Sequence, residues 1–164
     1  MNKKKILQTA KPLVLKKETV IQVASGILDS LRIPIRIDIS NADTDKNDEA
    51  FLWVADKYGD FFDVASKCPF QKDDTIYVKE AWNQISSDEF WYSADEELKG
   101  EDFYLDGENR LSFKTPITMP KEAARFFLKV KSVHCERTSK LKDKEAYELG
   151  KWVWVIEFER IMEN

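Results

Sequence analysis

At 164 residues the chain is long enough for one domain with a real core, or for one domain with appendages. Hydrophobic residues at 43% and charged residues at 34% exclude a disordered tail, and no apolar run approaches the roughly 18 to 20 residues of a membrane-spanning helix. The net charge of −4 argues against general high-affinity binding to nucleic acid.

The start is basic, with Lys3, Lys4 and Lys5, but Lys11, Pro12, Lys16 and Lys17 interrupt any signal-peptide core. Residues 1–10 therefore read as a flexible basic N-terminus, residues 11–161 as a single domain, and the protein as cytoplasmic. Lys11 to Leu15 predicts a short strand. From Lys16 the period becomes helical: Val20, Val23, Ala24, Ile27 and Leu28 recur on one face, predicting a helix that ends near Asp29 and Ser30. Arg32 to Ile39 alternates strictly, with Ile33, Ile35, Ile37 and Ile39 opposite Arg32, Pro34, Arg36 and Asp38. Pro34 places this strand at an edge or bulge.

Residues 40–50 are polar and read as a loop, 51–58 are ambiguous, and Phe61 to Ala65 fits a strand. Thr75 to Trp82 predicts a central strand, with Ile76, Val78, Glu80 and Trp82 on one side because side chains alternate. A carboxylate in that apolar row is costly unless it is paired or working. Phe90 to Ser93 is short and aromatic. The acidic loop that follows, near residues 88–108, reads as a mobile or variable insertion. Ser112 to Lys114 fits one more strand and Arg125 to Arg137 a long one. Lys142 to Leu149 predicts a helix stopped by Gly150, and Trp152, Trp154, Ile156 and Phe158 line one face of a final strand. Many strands with two short helices predict an α+β, mostly β fold, a small barrel-like one and not a Rossmann sheet.

Charge is unevenly spread. Residues 88–108 carry nine acids and one base, a local −8, whereas residues 110–142 carry nine bases and two acids, a local +7. Such asymmetry produces a basic face on an acidic protein, or merely solvated loops of different sign. Cys68 and Cys135 are far apart and His134 is the only histidine, so no zinc-ligand spacing is present and two free thiols are expected. Neither a metal nor a cofactor is implied.

Four motifs in order carry a family resemblance: Cys68-Pro69-Phe70-Gln71, the segment Asp74 to Trp82 (Asp-Thr-Ile-Tyr-Val-Lys-Glu-Ala-Trp), Met119-Pro120-Lys121-Glu122-Ala123-Ala124-Arg125, and Trp152 to Phe158 (Trp-Val-Trp-Val-Ile-Glu-Phe). Over about residues 11–161 the chain resembles the ASCH/PUA-like proteins of bacteriophages and prophages. The resemblance implies a PUA-like small antiparallel β-barrel with short peripheral helices, and a cleft beside it for RNA or a nucleotide. Some similar small bacterial proteins hydrolyse N-acetylated cytidine with a lysine, a threonine and a central-strand glutamate. Here Arg32, Ile33 and Ile35 stand where the lysine and threonines would, and only Glu80 remains. Arginine stays protonated and isoleucine has no hydroxyl, so the chain reads as a module without catalysis.

The candidate ligand-binding residues are Arg32, Arg36, Glu80, Trp82, Lys121 and Arg125. Arg32 and Arg36 share a face with roots about 13 Å apart, a spacing that suits successive phosphates, or they are solvated edge charges. Glu80 accepts from a base edge, acts as a general base, or pairs with Arg32, Arg36 or Arg125. Trp82 stacks a base or fills the core. Three functions stay open: an RNA- or nucleotide-binding module, a hydrolase of a modified nucleobase or RNA using Glu80, and an acidic protein that binds a host protein by imitating nucleic acid. No membrane partner is expected.

Overall fold

The computed structural model describes residues 2–36, 43–45, 48–55, 58, 61–137 and 152–161. They form an α+β fold made mostly of strands, in the order α1 (Lys3–Thr9), β1 (Lys11–Val14), α2 (Lys17–Ala24), β2 (Ser30–Pro34), β3 (Asp43–Asp45), β4 (Asp48–Ala55), β5 (Phe61–Asp63), β6 (Thr75–Lys79), β7 (Trp82–Ser86), β8 (Glu89–Tyr92), α3 (Asp95–Leu98), β9 (Tyr104–Asp106), β10 (Asn109–Arg110), β11 (Phe127–Arg137) and β12 (Trp152–Ile161). The expected helix over 142–149 and the continuation of β2 through residues 37–39 lie outside the described residues. No described helix is long and apolar enough to cross a membrane.

The chain divides into two compact units. The first comprises Met1–Asp29, Thr75–Lys129 and Arg160–Asn164; the second comprises Ser30–Asp74 and Val130–Glu159. In the first, β6 pairs with β1 on one side and with the start of β11 on the other. The β1–β6 pairing is parallel, within a sheet whose other pairings are antiparallel where their register is described. A parallel pair demands a long crossover, which residues 15–74 supply. Two hairpins, β7–β8 and β9–β10, complete this unit. Among the described residues no sheet closes into a barrel.

Residues 1–10 are not a loose tail. Asn2 Oδ1 accepts from the Lys4 amide at 2.9 Å, which caps α1, and Ile6 is buried in a cluster with Trp82, Tyr92, Met119, Ala123, Ala124 and Phe127. A capped turn with one apolar anchor suffices, because tertiary packing rather than length stabilises a short helix. α2 ends at Ala24, five to six residues before the expected end near Asp29 and Ser30. Gly26 adopts φ +69°, the left-handed stop that a Cβ disfavours, and this leaves Ile27 exposed.

The acidic stretch is likewise built into the first unit and is not a free insertion. Tyr92, Ala94, Asp95 and Phe103 are buried, and Phe103 packs against both Trp91 and Phe113 with centroids 5.0 and 5.6 Å away. Three of its acids meet cations: Asp95 pairs with Lys99 and Arg125, Glu96 with Lys17 and Arg110, and Glu97 with Lys17.

In the second unit β12 lies between β11 and β2, so β2 is an edge strand, where Pro34 is tolerated. Trp152 through Ile156 and Phe158 are buried, and Trp154 Nε1 donates to the Val64 carbonyl at 3.0 Å. β3, β4 and β5 form a meander, so residues 43–45 and 48–50, expected as loop, are strand. After β5 the Cys-Pro-Phe-Gln segment is a structural clasp. Gln71 Nε2 donates to the Cys68 carbonyl at 2.8 Å and reaches those of Ala65 and Ser66 at 3.3 Å, while the Gln71 amide donates to Asp74 Oδ2 at 2.7 Å. These bonds satisfy carbonyls at the end of the 3-10 turn Val64–Lys67.

Candidate anion-binding cleft

The alternation of residues 76–82 holds in burial: Ile76, Val78, Glu80 and Trp82 are all buried. The strand itself does not continue to Trp82. β6 stops at Lys79, and Trp82 opens β7, which belongs to a different hairpin. Glu80 sits at the break, where its amide meets Met119 Sδ at 3.5 Å in place of a ladder partner.

Glu80 is 2% exposed, and both its carboxylate oxygens accept from one guanidinium: Arg125 Nε at 2.8 Å and an Arg125 terminal nitrogen at 2.9 Å. The other terminal nitrogen of Arg125 donates to Asp95 Oδ1 at 2.6 Å. The guanidinium lies 4.0 Å from the Tyr92 ring centroid and 4.8 Å from that of Phe126. This fork-to-fork pairing with aromatic stacking fixes the arginine in one geometry. Burial pushes the Glu80 carboxyl above the usual carboxylate range, against the opposing pull of Arg125. Burial also pushes the Tyr92 hydroxyl up to about 12, so it remains a donor, and it donates to the Ala123 carbonyl. Glu80 and Arg125, both expected to meet ligand, thus meet each other. Engaging a phosphate through Arg125 means breaking bonds to two buried carboxylates.

Trp82 is 6% exposed. Its indole N–H donates to Thr118 Oγ1 at 3.2 Å, Lys114 Nζ lies 4.9 Å from its ring, and Phe90 tilts against it at 6.1 Å. It fills the core and leaves no open face for a base to stack on. Arg32 and Arg36 belong to the second unit. Arg32 is half-buried, its terminal nitrogen lies 3.9 Å from Glu136 Oε1, and its Nε is buried without a hydrogen-bond partner among the described residues. Glu136 is shared with His134, whose Nε2 is 3.6 Å away. Arg36 is exposed.

Lys121 is the one expected ligand-binding residue of the first unit that faces open space. It stands in a 3-10 turn, Lys121–Ala123, held from below by Tyr92 and by the fully buried Ala123 and Ala124. Ile6 of α1 packs into the same cluster as those alanines, which brings the first turns of α1 beside Lys121. Between them lies a cleft of about 560 Å³, lined by Asn2, Lys3, Lys4, Leu7, Gln8, Lys121 and Glu122. That volume falls within the range of small-molecule sites, roughly 300 to 1,000 Å³. Three lysines against Glu122 leave the lining side chains at a net +2. Among the described residues none of the three ammonium groups forms an ion pair. The positive charge comes from side chains and not from the backbone, since Asn2 already caps the Lys4 amide.

Lys3 and Lys4 were missed by reading the N-terminus as loose. The legible signal was Asn2 as a cap three and four residues before Lys5 and Ile6. Asp95 and Tyr92 had no sequence signal that set them apart from neighbouring acids and aromatics. Among the described residues no three His, Cys, Asp or Glu side chains gather as a metal site. No protein-family model, curated protein or solved structure matches this chain.

Proposed function

We propose that the chain is an ASCH/PUA-like binding module for RNA or a nucleotide, and that the Lys3–Lys4–Lys121 cleft is its anion seat. The observation that carries the reading is one cleft of nucleotide-compatible size lined by three lysines from two separate segments, none of them ion-paired among the described residues. Lysine binds phosphate as a compact point charge with three donors. Leu7 supplies an apolar wall, and the amides of Asn2 and Gln8 supply neutral hydrogen-bonding groups.

The two rival readings find less support. A hydrolase built on Glu80 requires that carboxylate to reach substrate, and both of its oxygens are committed to Arg125. An imitation of nucleic acid requires a free row of acids, and three of the nine, Asp95, Glu96 and Glu97, are already paired within the first unit.

The test is calorimetric titration of the full chain with nucleoside monophosphates and short single-stranded RNA. The Lys121→Glu variant is run beside the wild type, across a salt series. Saturable binding is expected, weakened by roughly tenfold or more in the variant, as loss of a charge-assisted contact implies. For RNA, three lysine contacts predict a slope of about −2 in log affinity against log salt. Unchanged affinity in Lys121→Glu, or no binding of any of these ligands, overturns the reading.

A further inference from the structure

We infer that the cleft is selective for a phosphate monoester, as borne by a mononucleotide or by the phosphorylated end of an RNA strand, over the phosphodiesters inside a strand. The inference rests on the nucleotide-binding reading and narrows its ligand class. It starts from the number and placement of charges. Lys3, Lys4 and Lys121 all line a single cleft, and among the described residues Glu122 is the only acid in that lining. A polymer backbone carries one charge per phosphate and needs cations spaced along its path. Beside Lys121, however, the lining continues with the acid Glu122. A phosphate monoester carries −1.5 to −2 charges on one group with three terminal oxygens at neutral pH, its second pKa being about 6. Three ammonium donors and a net lining charge of +2 match that group in number and in sign. An internal diester offers two terminal oxygens and a single charge, so one of the three lysines finds no partner on it.

The ligand's own titration gives this selectivity a signature. A monoester loses half of its charge as pH falls through about 6, while a diester keeps its single charge there. Monoester affinity is therefore expected to fall between pH 7.5 and 5.5, and diester affinity to stay level by comparison.

The experiment uses the full chain and four ligands: adenosine 5′-monophosphate, a short oligoribonucleotide with a 5′-phosphate, the same oligoribonucleotide with a 5′-hydroxyl, and inorganic phosphate. Each is titrated calorimetrically at pH 7.5 and 5.5 against wild type and Lys121→Glu. The expected result is that the mononucleotide and the 5′-phosphorylated strand bind at least about tenfold more tightly than the 5′-hydroxyl strand. Both should weaken at pH 5.5 and in Lys121→Glu. Whether the natural source is a free nucleotide or a strand end is read from which of the first two binds tighter. Equal binding of the 5′-hydroxyl and 5′-phosphorylated strands overturns monoester selectivity while leaving the RNA-binding reading standing. Tight binding of inorganic phosphate with no gain from the nucleoside overturns the nucleotide reading and leaves a phosphate seat. Absence of binding by all four overturns both.

Discussion

Arg125→Met is the substitution whose consequence the structure fixes most closely. It removes both donors to Glu80, at 2.8 and 2.9 Å, and the 2.6 Å donor to Asp95, while leaving a side chain long enough to pack against Tyr92 and Phe126. Asp95 keeps a cation, Lys99 at 3.0 Å. Glu80 keeps none among the described residues and is 2% exposed. Removing one partner of a buried pair costs about 3 to 5 kcal/mol, because the stranded charge remains out of water. The Arg125 side chain is 21% exposed, so solvent can partly relieve the site and the lower end, about 3 kcal/mol, is the expectation. Urea denaturation followed by circular dichroism measures it as a fall in the midpoint at unchanged slope. Adding Glu80→Gln removes the stranded charge and should recover about 1 to 2 kcal/mol of the loss. The single variant should also lose less at pH 5 than at pH 8, since protonating Glu80 relieves the same penalty. A loss below about 1 kcal/mol, the value of an exposed pair, or no recovery in the double variant, refutes the reasoning.

Further predictions concern the same unit and the second. Because burial holds the folded-state pKa of Glu80 above its unfolded value of about 4.3, its contribution to stability is fully present below that value and is lost as pH rises through the folded pKa. The stability of wild type relative to Glu80→Gln should therefore shrink with rising pH in denaturant titrations; a difference that grows with pH contradicts the raised value. Trp82→Phe deletes the 3.2 Å bond to Thr118 and part of the packing and should cost about 1 to 2 kcal/mol with nucleotide affinity unchanged. A selective loss of affinity in that variant, with stability intact, would return Trp82 to a stacking role. Burial pushes the Cys135 thiol up to about 12, so at pH 8 roughly one thiol in ten thousand is thiolate. Iodoacetamide followed by mass spectrometry should modify Cys135 only after unfolding, and stoichiometric labelling of the native chain contradicts this.

Burial was far more legible in the sequence than connectivity. The alternation in 76–82 put four side chains on one side, and all four are buried, because a period of two depends only on local backbone geometry. It did not show that the strand breaks at Glu80. That break is set by Met119 and Arg125, some 40 residues away, and long-range partners leave no periodic trace. Pro34 marked an edge strand for a reason intrinsic to proline. The parallel β1–β6 pairing was hidden for the opposite reason, since β1 is too short for its composition to specify a partner. Of the six candidate ligand residues, Glu80 and Arg125 bond each other, and Trp82 lies in the core. Lys121 alone opens into the cleft. Its companions Lys3 and Lys4 were obscured because a seven-residue helix anchored by the single buried residue Ile6 carries almost no amphipathic signal.

The central claim is that anions are received between α1 and the Lys121 turn and not at Glu80. The most direct test is a ¹⁵N–¹H correlation spectrum of the labelled chain recorded during titration with adenosine 5′-monophosphate. Saturable amide shifts concentrated at residues 2–8 and 121–122 are predicted, with residues 32–36 little changed. Shifts centred on Arg32 and Arg36, or no saturable shift anywhere, would contradict the account.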